Sequence, residues 1–341
     1  MLILSFVLCF LASLSITLFI ENKSSFLGLI DKPRADKFHH REMPTCGGLA
    51  IIFSYSLYLI YLFESSILDK ELLKIFLIFI PIILISLIDD IKNVKVYVRL
   101  IFHFLFAITI IFYFQYQFDI HSILIFNQKD IIIPIASVFL IVWLMNLYNF
   151  MDGSDGYAAT QALFASFYAS LLSFINSPDI SYTLLQVGFF ISILGFFIRN
   201  LPPAKIFMGD VGSITIGSFF GFLIIFTASN SVLSIYTWLI LLSLFIVDAS
   251  YTLLTRIVTK QNVTKPHNTH YFHKISKSYE TNKTPLYYLM LINLFWIGPL
   301  AILSNVFKDF DVIIFFICYI PLTIFMIKIG AGLQDDTNFT K

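Results

Sequence analysis

Apolar runs separated by short polar interruptions recur along the chain, from the first residue to about residue 330. A helix that crosses a bilayer needs roughly 20 apolar residues, and about eleven runs meet that requirement. Their centres lie near residues 11, 54, 81, 108, 140, 167, 190, 219, 240, 295 and 319. The pattern therefore predicts an all-α polytopic membrane protein with about eleven transmembrane helices.

Two runs need further interpretation. The run 1–20 has the length of a signal peptide, but it lacks a basic start and a small-residue cleavage site, so we interpret it as the first span. The uncharged block 211–247 is too long for one crossing. The polar stretch TASNSVLS at 227–234 predicts the turn that divides this block in two.

Composition agrees with this class, because 58% of the 341 residues are hydrophobic and only 13% are charged. We expect a single integral-membrane domain over residues 1–341 and no nucleic-acid partner. The three cysteines, Cys9, Cys46 and Cys318, lie within or beside predicted spans and indicate no disulfide framework.

Positive charge is strongly one-sided if the spans alternate in direction. All but four of the 22 lysines and arginines fall in segments 21–45, 89–99, 199–210 and 256–284 or at the C-terminal end; the exceptions are Lys70, Lys74, Lys129 and Lys308. The side rich in lysine and arginine is expected to be cytoplasmic. This predicts a periplasmic N-terminus and a cytoplasmic C-terminus.

The stretch NLYNFMDGSDG, residues 146–156, places polar side chains at the cytoplasmic end of the fifth span. Asn146, Asn149 and Asp152 recur every three residues, which puts them on one helical face. Gly153 and Gly156 permit a tight turn where the helix ends. A helix cap explains one such residue, but not the whole set.

The third span runs directly into Asp89 and Asp90, and Arg99 opens the fourth. Adjacent carboxylates repel each other, so one of them needs a nearby cation, a metal ion or a raised pKa. The pair suits a base or a Mg²⁺ site. Two solvated loop acids near Lys92 and Lys95 are an equally good explanation of this motif alone.

The segment KIFMGDVGS, residues 205–213, leads from a basic loop into another apolar helix. Asp210 offers oxygen ligands to a hard cation, and the glycines allow a phosphate to approach the first N–H groups of the helix. Taken alone, the segment is explained better by an ordinary N-cap formed by Asp210 or Ser213.

Histidines follow in the segment KPHNTHYFHK, residues 265–274. His267, His270 and His273 could bind zinc, but no thiolate or HExxH pattern accompanies them, and imidazoles beside lysines also suit a diphosphate. An amphipathic loop resting on the membrane is the third interpretation. Asp248, near the inner end of the ninth span, is an intramembrane acid that needs a partner or a use.

The acidic motifs and the histidines all fall on the side that lysine and arginine identify as cytoplasmic. Loops about 21–45, 89–99, 149–157, 199–210 and 257–284 are therefore predicted to form one active-site face. Acids that hold Mg²⁺ amid basic side chains suit phosphoryl transfer. A secondary transporter would instead concentrate its ionisable groups near the bilayer midplane. His103 is the main polar residue near a span, and we interpret it as a satisfied interior histidine. A structural scaffold needs no acid cluster.

Taken together, these motifs resemble the polyprenyl-phosphate N-acetylhexosamine-1-phosphate transferases, the glycosyltransferase family 4 superfamily that includes the MraY and WecA enzymes. The matching elements are the acidic pair with its basic partner, N-x-x-N-x-x-D-G-x-D-G, M-G-D-x-G-S, and an early K-x-H…P-x-x-G-G element at Lys37, His39, Pro44, Gly47 and Gly48. They span residues 31–274 in the family's order.

The resemblance implies transfer of a sugar-1-phosphate from a UDP-activated N-acetylated sugar to undecaprenyl phosphate, with release of UMP. It implies Mg²⁺, with Mn²⁺ as a substitute, held by Asp210 and Asp152. It also implies catalytic roles for Asp89, Asp90 and Asp155. The implied substrate-binding residues are Lys37, His39, Arg99, Asn146, Asn149, Asp152, Gly153, Ser213, His267, His270 and His273.

The chain departs from the family pattern at Asp36, Tyr157 and Asn268. Its H-x-x-H-x-x-H spacing is closer to the WbpL/WbcO-like O-antigen branch, which implies an N-acetylhexosamine or 6-deoxy-N-acetylhexosamine donor. Transfer of phospho-N-acetylmuramoyl-pentapeptide is the alternative. The expected location is the bacterial inner membrane, with a homodimer as a further expectation.

Overall fold

A computed structural model describes residues 1–31, 42–118, 132–263, 267–279, 281 and 283–334. The described part is helical almost throughout, because in lipid each apolar segment must satisfy its own backbone hydrogen bonds. The α-helices are α1 (Leu2–Leu27), α2 (Gly48–Glu64), α3 (Lys70–Ile75), α4 (Ile80–Lys92), α5 (Val96–Phe118), α6 (Ile132–Met151), α7 (Tyr157–Asn176), α8 (Ile180–Asn200), α9 (Asp210–Ser229), α10 (Ile235–Leu241), α11 (Ser243–Val258), α12 (Tyr271–Tyr279), α13 (Lys283–Ile292), α14 (Gly298–Val306) and α15 (Asp311–Ile329).

Every predicted span centre lies in an apolar helix or a continuous group of helices. Within the described ranges, nine elements are long and apolar enough to cross a membrane, and the bent pair α10–α11 makes a tenth. The remaining predicted span is α2, which has 17 residues. An all-α, multi-pass membrane architecture is therefore confirmed. The orientation of the termini stays a prediction.

Helix α9 lies at the centre of the bundle, and nearly all of its side chains are buried. Its glycines let neighbouring helices approach closely, as is usual in membranes. A Cβ atom at Gly217 would lie 2.6 Å from the carbonyl oxygen of Leu144 on α6, and one at Gly48 of α2 would lie 2.1 Å from the Cα of Gly212. The first turn of α9 is thereby surrounded by the ends of α2, α4 and α6.

The connection between α10 and α11 at Leu242 bends by 75°. This break frees backbone carbonyls, and two side chains satisfy them: Gln161 Nε2 donates to Leu241 at 2.7 Å, and Tyr319 Oη donates to Leu239 at 2.9 Å. Asn293 in turn donates to Gln161 Oε1. The apolar pattern predicted a span here but not its break, since no glycine or proline marks the position.

Two short strands, β1 (Ile30–Asp31) and β2 (Met43–Pro44), pair antiparallel, which the sequence pattern did not predict. Beyond β2 the backbone continues along the loop that precedes α9. The N–H of Phe207 donates to Pro44, and the N–H groups of Gly47 and Gly48 donate to Phe207 and Met208, at 2.8–2.9 Å. This pairing fixes the loop that carries Asp210.

Candidate active site

The first turn of α9 is capped by an acid from another helix. The backbone N–H groups of Asp210 and Val211 donate to Asp90 Oδ1 and Oδ2 of α4, at 2.8 and 3.0 Å. The preceding residue, Gly209, has φ 76°, a conformation that favours glycine. The interpretation of Asp210 as an ordinary N-cap is therefore wrong. Its side chain is free to face the site because Asp90 supplies the cap.

One guanidinium joins two of the motifs. Arg99 Nη1 donates to Asp89 Oδ2 at 2.5 Å and to Asp210 Oδ2 at 2.8 Å. Asp89 is buried, and its Oδ1 also accepts the backbone N–H of Val94 in the turn between α4 and α5. The adjacent acids thus have different partners: Asp89 pairs with a cation, whereas Asp90 caps a helix.

The asparagine motif joins the same cluster through Asn149. Its Nδ2 donates to Asp210 Oδ1 at 2.8 Å and lies 3.3 Å from Ser213 Oγ. Residues from α4, α5, α6 and α9 therefore meet at one place. We call the group Asp89, Asp90, Arg99, Asn149, Asp152 and Asp210 the carboxylate pocket.

Asp152 completes the pocket from the turn just after α6. Its side chain is partly exposed, yet burial raises the pKa of its carboxyl well above the usual range, and the negative charges of Asp210 and Asp90 raise it further. Asp152 therefore lies within electrostatic reach of both acids. A cation bound here would relieve their mutual repulsion.

The pocket suits Mg²⁺ in its chemistry, because carboxylate and amide oxygens are the ligands that this ion prefers. Among the described residues, no three acidic, histidine or cysteine side chains already surround a common point. Both oxygens of Asp210 accept hydrogen bonds, one from Arg99 and one from Asn149. Each oxygen keeps a second lone pair, with which Asp210 could still bind an ion shared with Asp152.

Two predicted site residues in the 146–156 stretch lie elsewhere. Asn146 Nδ2 donates to Val142 and lies 3.2 Å from Nδ1 of His103, one turn deeper than Asn149. Asp155 Oδ2 accepts the backbone N–H of Ala204 at 3.1 Å, in the loop before α9. The stretch is therefore divided: Asn149 and Asp152 belong to the carboxylate pocket, whereas Asn146 and Asp155 have other partners.

His103 is buried, as expected for an interior histidine. Its Nδ1 has Asn146 as a partner, but its Nε2 is buried and has no hydrogen-bond partner in the described part of the chain. The interpretation as a satisfied interior histidine therefore holds for one ring nitrogen only.

The three histidines lie together in residues 267–279, which we call the histidine segment. The ring of His270 lies 5.0 Å from that of His267 and 6.0 Å from that of His273. It also stacks on Phe150, the residue after Asn149, at 6.3 Å. The histidine segment therefore borders the carboxylate pocket.

Gly153 brings the turn after α6 against the same segment. A Cβ atom there would lie 2.9 Å from the ring of Phe272 and 3.2 Å from Nε2 of His273. This close approach is the structural reason for glycine at position 153.

Two of the histidines are neutral at pH 7. Burial lowers the pKa of His267 to about 4, with further lowering by the charges of His270 and Arg256. Burial also lowers the pKa of His273 well below the usual value, and the other two histidines add to this effect. These rings can serve as hydrogen-bond partners but carry no charge at pH 7.

The early motif is described only in part. Lys37 and His39 lie outside the described residues. Pro44, Gly47 and Gly48 hold the loop before α9, and a Cβ atom at Gly47 would lie 2.3 Å from the ring of Phe196. The glycine pair is therefore explained by close backbone packing.

Cys46 was not predicted as a site residue. It is fully buried, it has φ 64°, and its Sγ donates to Asp90 Oδ2 at 3.4 Å. Burial and the charge of Asp90 raise the pKa of the Cys46 thiol, which keeps it protonated as a donor. Its position directly before the glycine pair is the only sequence signal that points to it.

Comparison with known proteins agrees with this geometry. A model of the family described as glycosyl transferase family 4 matches residues 72–228, which include the acidic pair, the asparagine stretch and the start of α9.

Two similar proteins align with nearly the whole chain. The probable undecaprenyl-phosphate N-acetylglucosaminyl 1-phosphate transferase of Bacillus subtilis is 24% identical over 99% of this chain and 95% of its own length. The undecaprenyl-phosphate alpha-N-acetylglucosaminyl 1-phosphate transferase of Thermotoga maritima is 26% identical over 91% and 92%.

A third relative has a different name. The phospho-N-acetylmuramoyl-pentapeptide-transferase of Wolbachia pipientis is 30% identical over 55% of this chain and 61% of its own length. Relatives that carry two different sugar names thus share the region that contains the carboxylate pocket.

Proposed function

Because this chain belongs to the polyprenyl-phosphate N-acetylhexosamine-1-phosphate transferase superfamily, we propose that it moves an N-acetylhexosamine-1-phosphate from a UDP-sugar to undecaprenyl phosphate. UMP is the second product. The donor is an N-acetylhexosamine or a 6-deoxy-N-acetylhexosamine, and the lipid product begins a cell-surface glycan such as O-antigen.

The observation that carries this proposal is the junction at Asp210. Arg99 and Asn149 bind its two carboxylate oxygens, while Asp90 caps the helix that Asp210 begins. Acids and one guanidinium at a helix start favour a bound phosphate together with a cation. The neighbouring histidine segment supplies further polar groups for a diphosphate.

In the proposed reaction, an oxygen of the lipid phosphate attacks the sugar-bearing phosphorus of the UDP-sugar. The new bond is P–O to the lipid phosphate. The bond that breaks is the P–O bond between the same phosphorus and the bridging oxygen of the diphosphate, and this oxygen leaves on UMP with the electron pair. The attacking oxygen is already anionic, so the step needs no separate base.

Asp210 and Asp152 would hold Mg²⁺, which neutralises charge on the diphosphate when it is bound. Arg99 then binds phosphate oxygens that approach the pocket, since it lies between Asp89 and Asp210. Asp90 and Asp155 support the start of α9 and the loop before it through backbone N–H groups. For these two acids the geometry favours positioning over the catalytic roles that the resemblance implies.

The protein is a multi-pass membrane protein. We place it in the bacterial inner membrane with the carboxylate pocket facing the cytoplasm, where UDP-sugars are available. The support is the clustering of lysine and arginine on that side. A homodimer stays a prediction.

The test is a purified protein in nanodiscs with undecaprenyl phosphate, Mg²⁺ and a panel of UDP-HexNAc, UDP-6-deoxy-HexNAc and UDP-N-acetylmuramoyl-pentapeptide donors. We expect UMP release and a lipid-linked product of the matching mass with one HexNAc donor, and loss of both in EDTA. Product with the pentapeptide donor alone would support the alternative substrate. No product with any donor would contradict the proposal.

A secondary transporter is less well supported. This chain has one feature of transporters, the broken span α10–α11. Transporters build ion sites on broken helices. Here neutral side chains, Gln161 and Tyr319, satisfy the carbonyls freed at the break. The acids of the carboxylate pocket instead lie at helix ends.

A further inference from the structure

Asp248 is the most deeply buried carboxylate of the described residues, with 0% of its surface exposed. It lies on α11, in the span that follows the break at Leu242. A charged side chain in such a place costs several kcal/mol unless it is paired or used. No step of the proposed reaction uses it, so its contacts need a separate explanation.

The partners of Asp248 lie mostly in the histidine segment. Its Oδ1 accepts the backbone N–H of Tyr271 at 3.0 Å and the hydroxyl of Thr252 at 3.1 Å, and it lies 3.4 Å from Nδ1 of His270. Tyr271 is the first residue of α12. One carboxylate oxygen of a membrane helix therefore caps α12 and contacts the histidine directly before it.

The contact selects one orientation of His270. When a carboxylate faces Nδ1, that nitrogen carries the proton, and Nε2 is the atom left for a ligand. His267, by contrast, has a hydroxyl at its Nδ1, that of Thr269 at 3.0 Å.

The three histidines are therefore not equivalent. His267 and His273 are neutral at pH 7 because burial and neighbouring positive charge lower their pKa values. His270 is the histidine that has a buried carboxylate at hydrogen-bond range. It is also central in the group, since its ring contacts those of both other histidines and of Phe150.

We propose that Asp248 is a positioning residue, which fixes His270 with Nδ1 inward so that its Nε2 binds a phosphate of the nucleotide donor. The inference rests on the proposed function, because it assigns the ligand as the diphosphate of a UDP-sugar. Asp248 itself touches no substrate. It acts through the orientation of the His270 ring.

The experiment measures UDP binding to the purified full chain by calorimetry for Asp248→Asn, His270→Ala and the double variant. Loss of a carboxylate behind a metal-ligating histidine costs about 10- to 100-fold, and by analogy we expect UDP affinity to fall about tenfold in Asp248→Asn. We expect the double variant to bind no more weakly than His270→Ala, because both changes remove the same interaction. The KM for undecaprenyl phosphate should not change.

Ser250→Ala is the matched control on the same helix, because it removes a partly buried hydrogen bond, donated by Trp143 Nε1 to Ser250 Oγ, that does not involve the histidines. We expect wild-type UDP affinity in this variant. Additive losses in the double variant, or equal losses in Thr252→Val and Asp248→Asn, would overturn the proposal in favour of a purely structural role.

A second measurement needs no variant at position 248. Nitrogen-15 NMR of histidine-labelled protein, assigned with His270→Ala, should show His270 with a proton on Nδ1 and a shift of Nε2 when UDP is added. A neutral ring with its proton on Nε2 alone would contradict the inference. If the wild-type protein binds no UDP at all, the proposed function fails, whereas UDP binding that is indifferent to Asp248 refutes only the positioning role.

Discussion

The carboxylate pocket and the histidine segment border each other but are held in different ways. Side chains of the pocket come from the ends of α4, α5 and α6 and from the start of α9, which are parts of packed spans. The histidine segment lies outside the spans, and polar contacts with Asp248 and with residues 332–333 hold it.

This difference bears on how each region can respond to substrate. Helices packed through glycine contacts leave little freedom for the pocket. The histidine segment is anchored by the buried rings of Tyr271 and Phe272, but it is short and lies outside the spans, so it can open and close at a smaller cost in free energy than a packed span. We therefore expect changes in the pocket to affect kcat, and changes around the histidine segment to affect the KM for the nucleotide donor.

The largest expected effect is that of Asp210→Asn. This change keeps the shape of the side chain but removes the charge that pairs with Arg99 and that we assign to Mg²⁺, so kcat should fall on the order of 10³-fold. UMP release measures it. Asp179→Asn is the control, because Asp179 caps α8 at the other end of the bundle; full activity in Asp210→Asn would remove the pocket from the mechanism.

A smaller effect is expected for Arg99→Lys. Lysine keeps the charge but cannot reproduce a guanidinium that contacts Asp89 and Asp210 together. We expect kcat to fall about tenfold, and about 100-fold in Arg99→Gln. Equal rates for the two variants would show that positive charge at this position does not matter.

Truncation after Gly330 should have a modest effect confined to the histidine segment. It removes the bond from Gly332 N–H to Thr269 and the bond from Lys274 Nζ to Leu333, both 2.8 Å. We expect the KM for the UDP-sugar to rise about two- to tenfold with kcat nearly unchanged. Truncation after Gln334 is the control and should behave as wild type; a fall in kcat alone would contradict the division between the two regions.

The smallest effect concerns pH and the docking of the histidine segment. Burial and the charges of His270 and Arg256 lower the pKa of His267 from its ordinary value of 6.5 to about 4. We call the histidine segment docked when it is bound to Asp248 and buried. Between pH 4 and pH 6.5, His267 binds more protons in the undocked segment than in the docked one. Docking therefore weakens as pH falls from 6.5 towards 4 and is constant above 6.5.

Hydrogen-exchange protection of the Tyr271 amide measures this docking, since that amide is bonded to Asp248. We expect the protection factor of this amide to decrease as the pH is lowered from 6.5 towards 4, and to decrease less in His267→Gln. Protection that rises as pH falls would mean that protonated His267 is stabilised in the docked segment.

Prediction from sequence was most successful where the bilayer imposes the rule. Span centres could be read from apolar length, and the polar break at 227–234 does separate α9 from α10. The same pattern did not predict the bend at Leu242. The backbone carbonyls freed there accept hydrogen bonds from Gln161 and Tyr319, which are far away in the sequence.

The candidate site shows the same limit at the level of single residues. Asn146 and Asn149 have the same spacing and chemistry in the sequence, yet one binds His103 and the other binds Asp210. Asp89 and Asp90 are adjacent, yet one pairs with Arg99 and the other caps α9. Which partner each side chain meets depends on the neighbouring helix, which local pattern does not specify.

By itself, the sequence determined that this is a multi-pass membrane protein and which residues lie at the ends of its spans, because hydrocarbon thickness and the cost of charge in lipid act on each segment separately. Only the tertiary structure decided that Asp90 caps the helix of Asp210, that Arg99 joins two motifs, and that Asp248 contacts His270. These contacts depend on how the helices pack together, and packing is a property of the whole bundle.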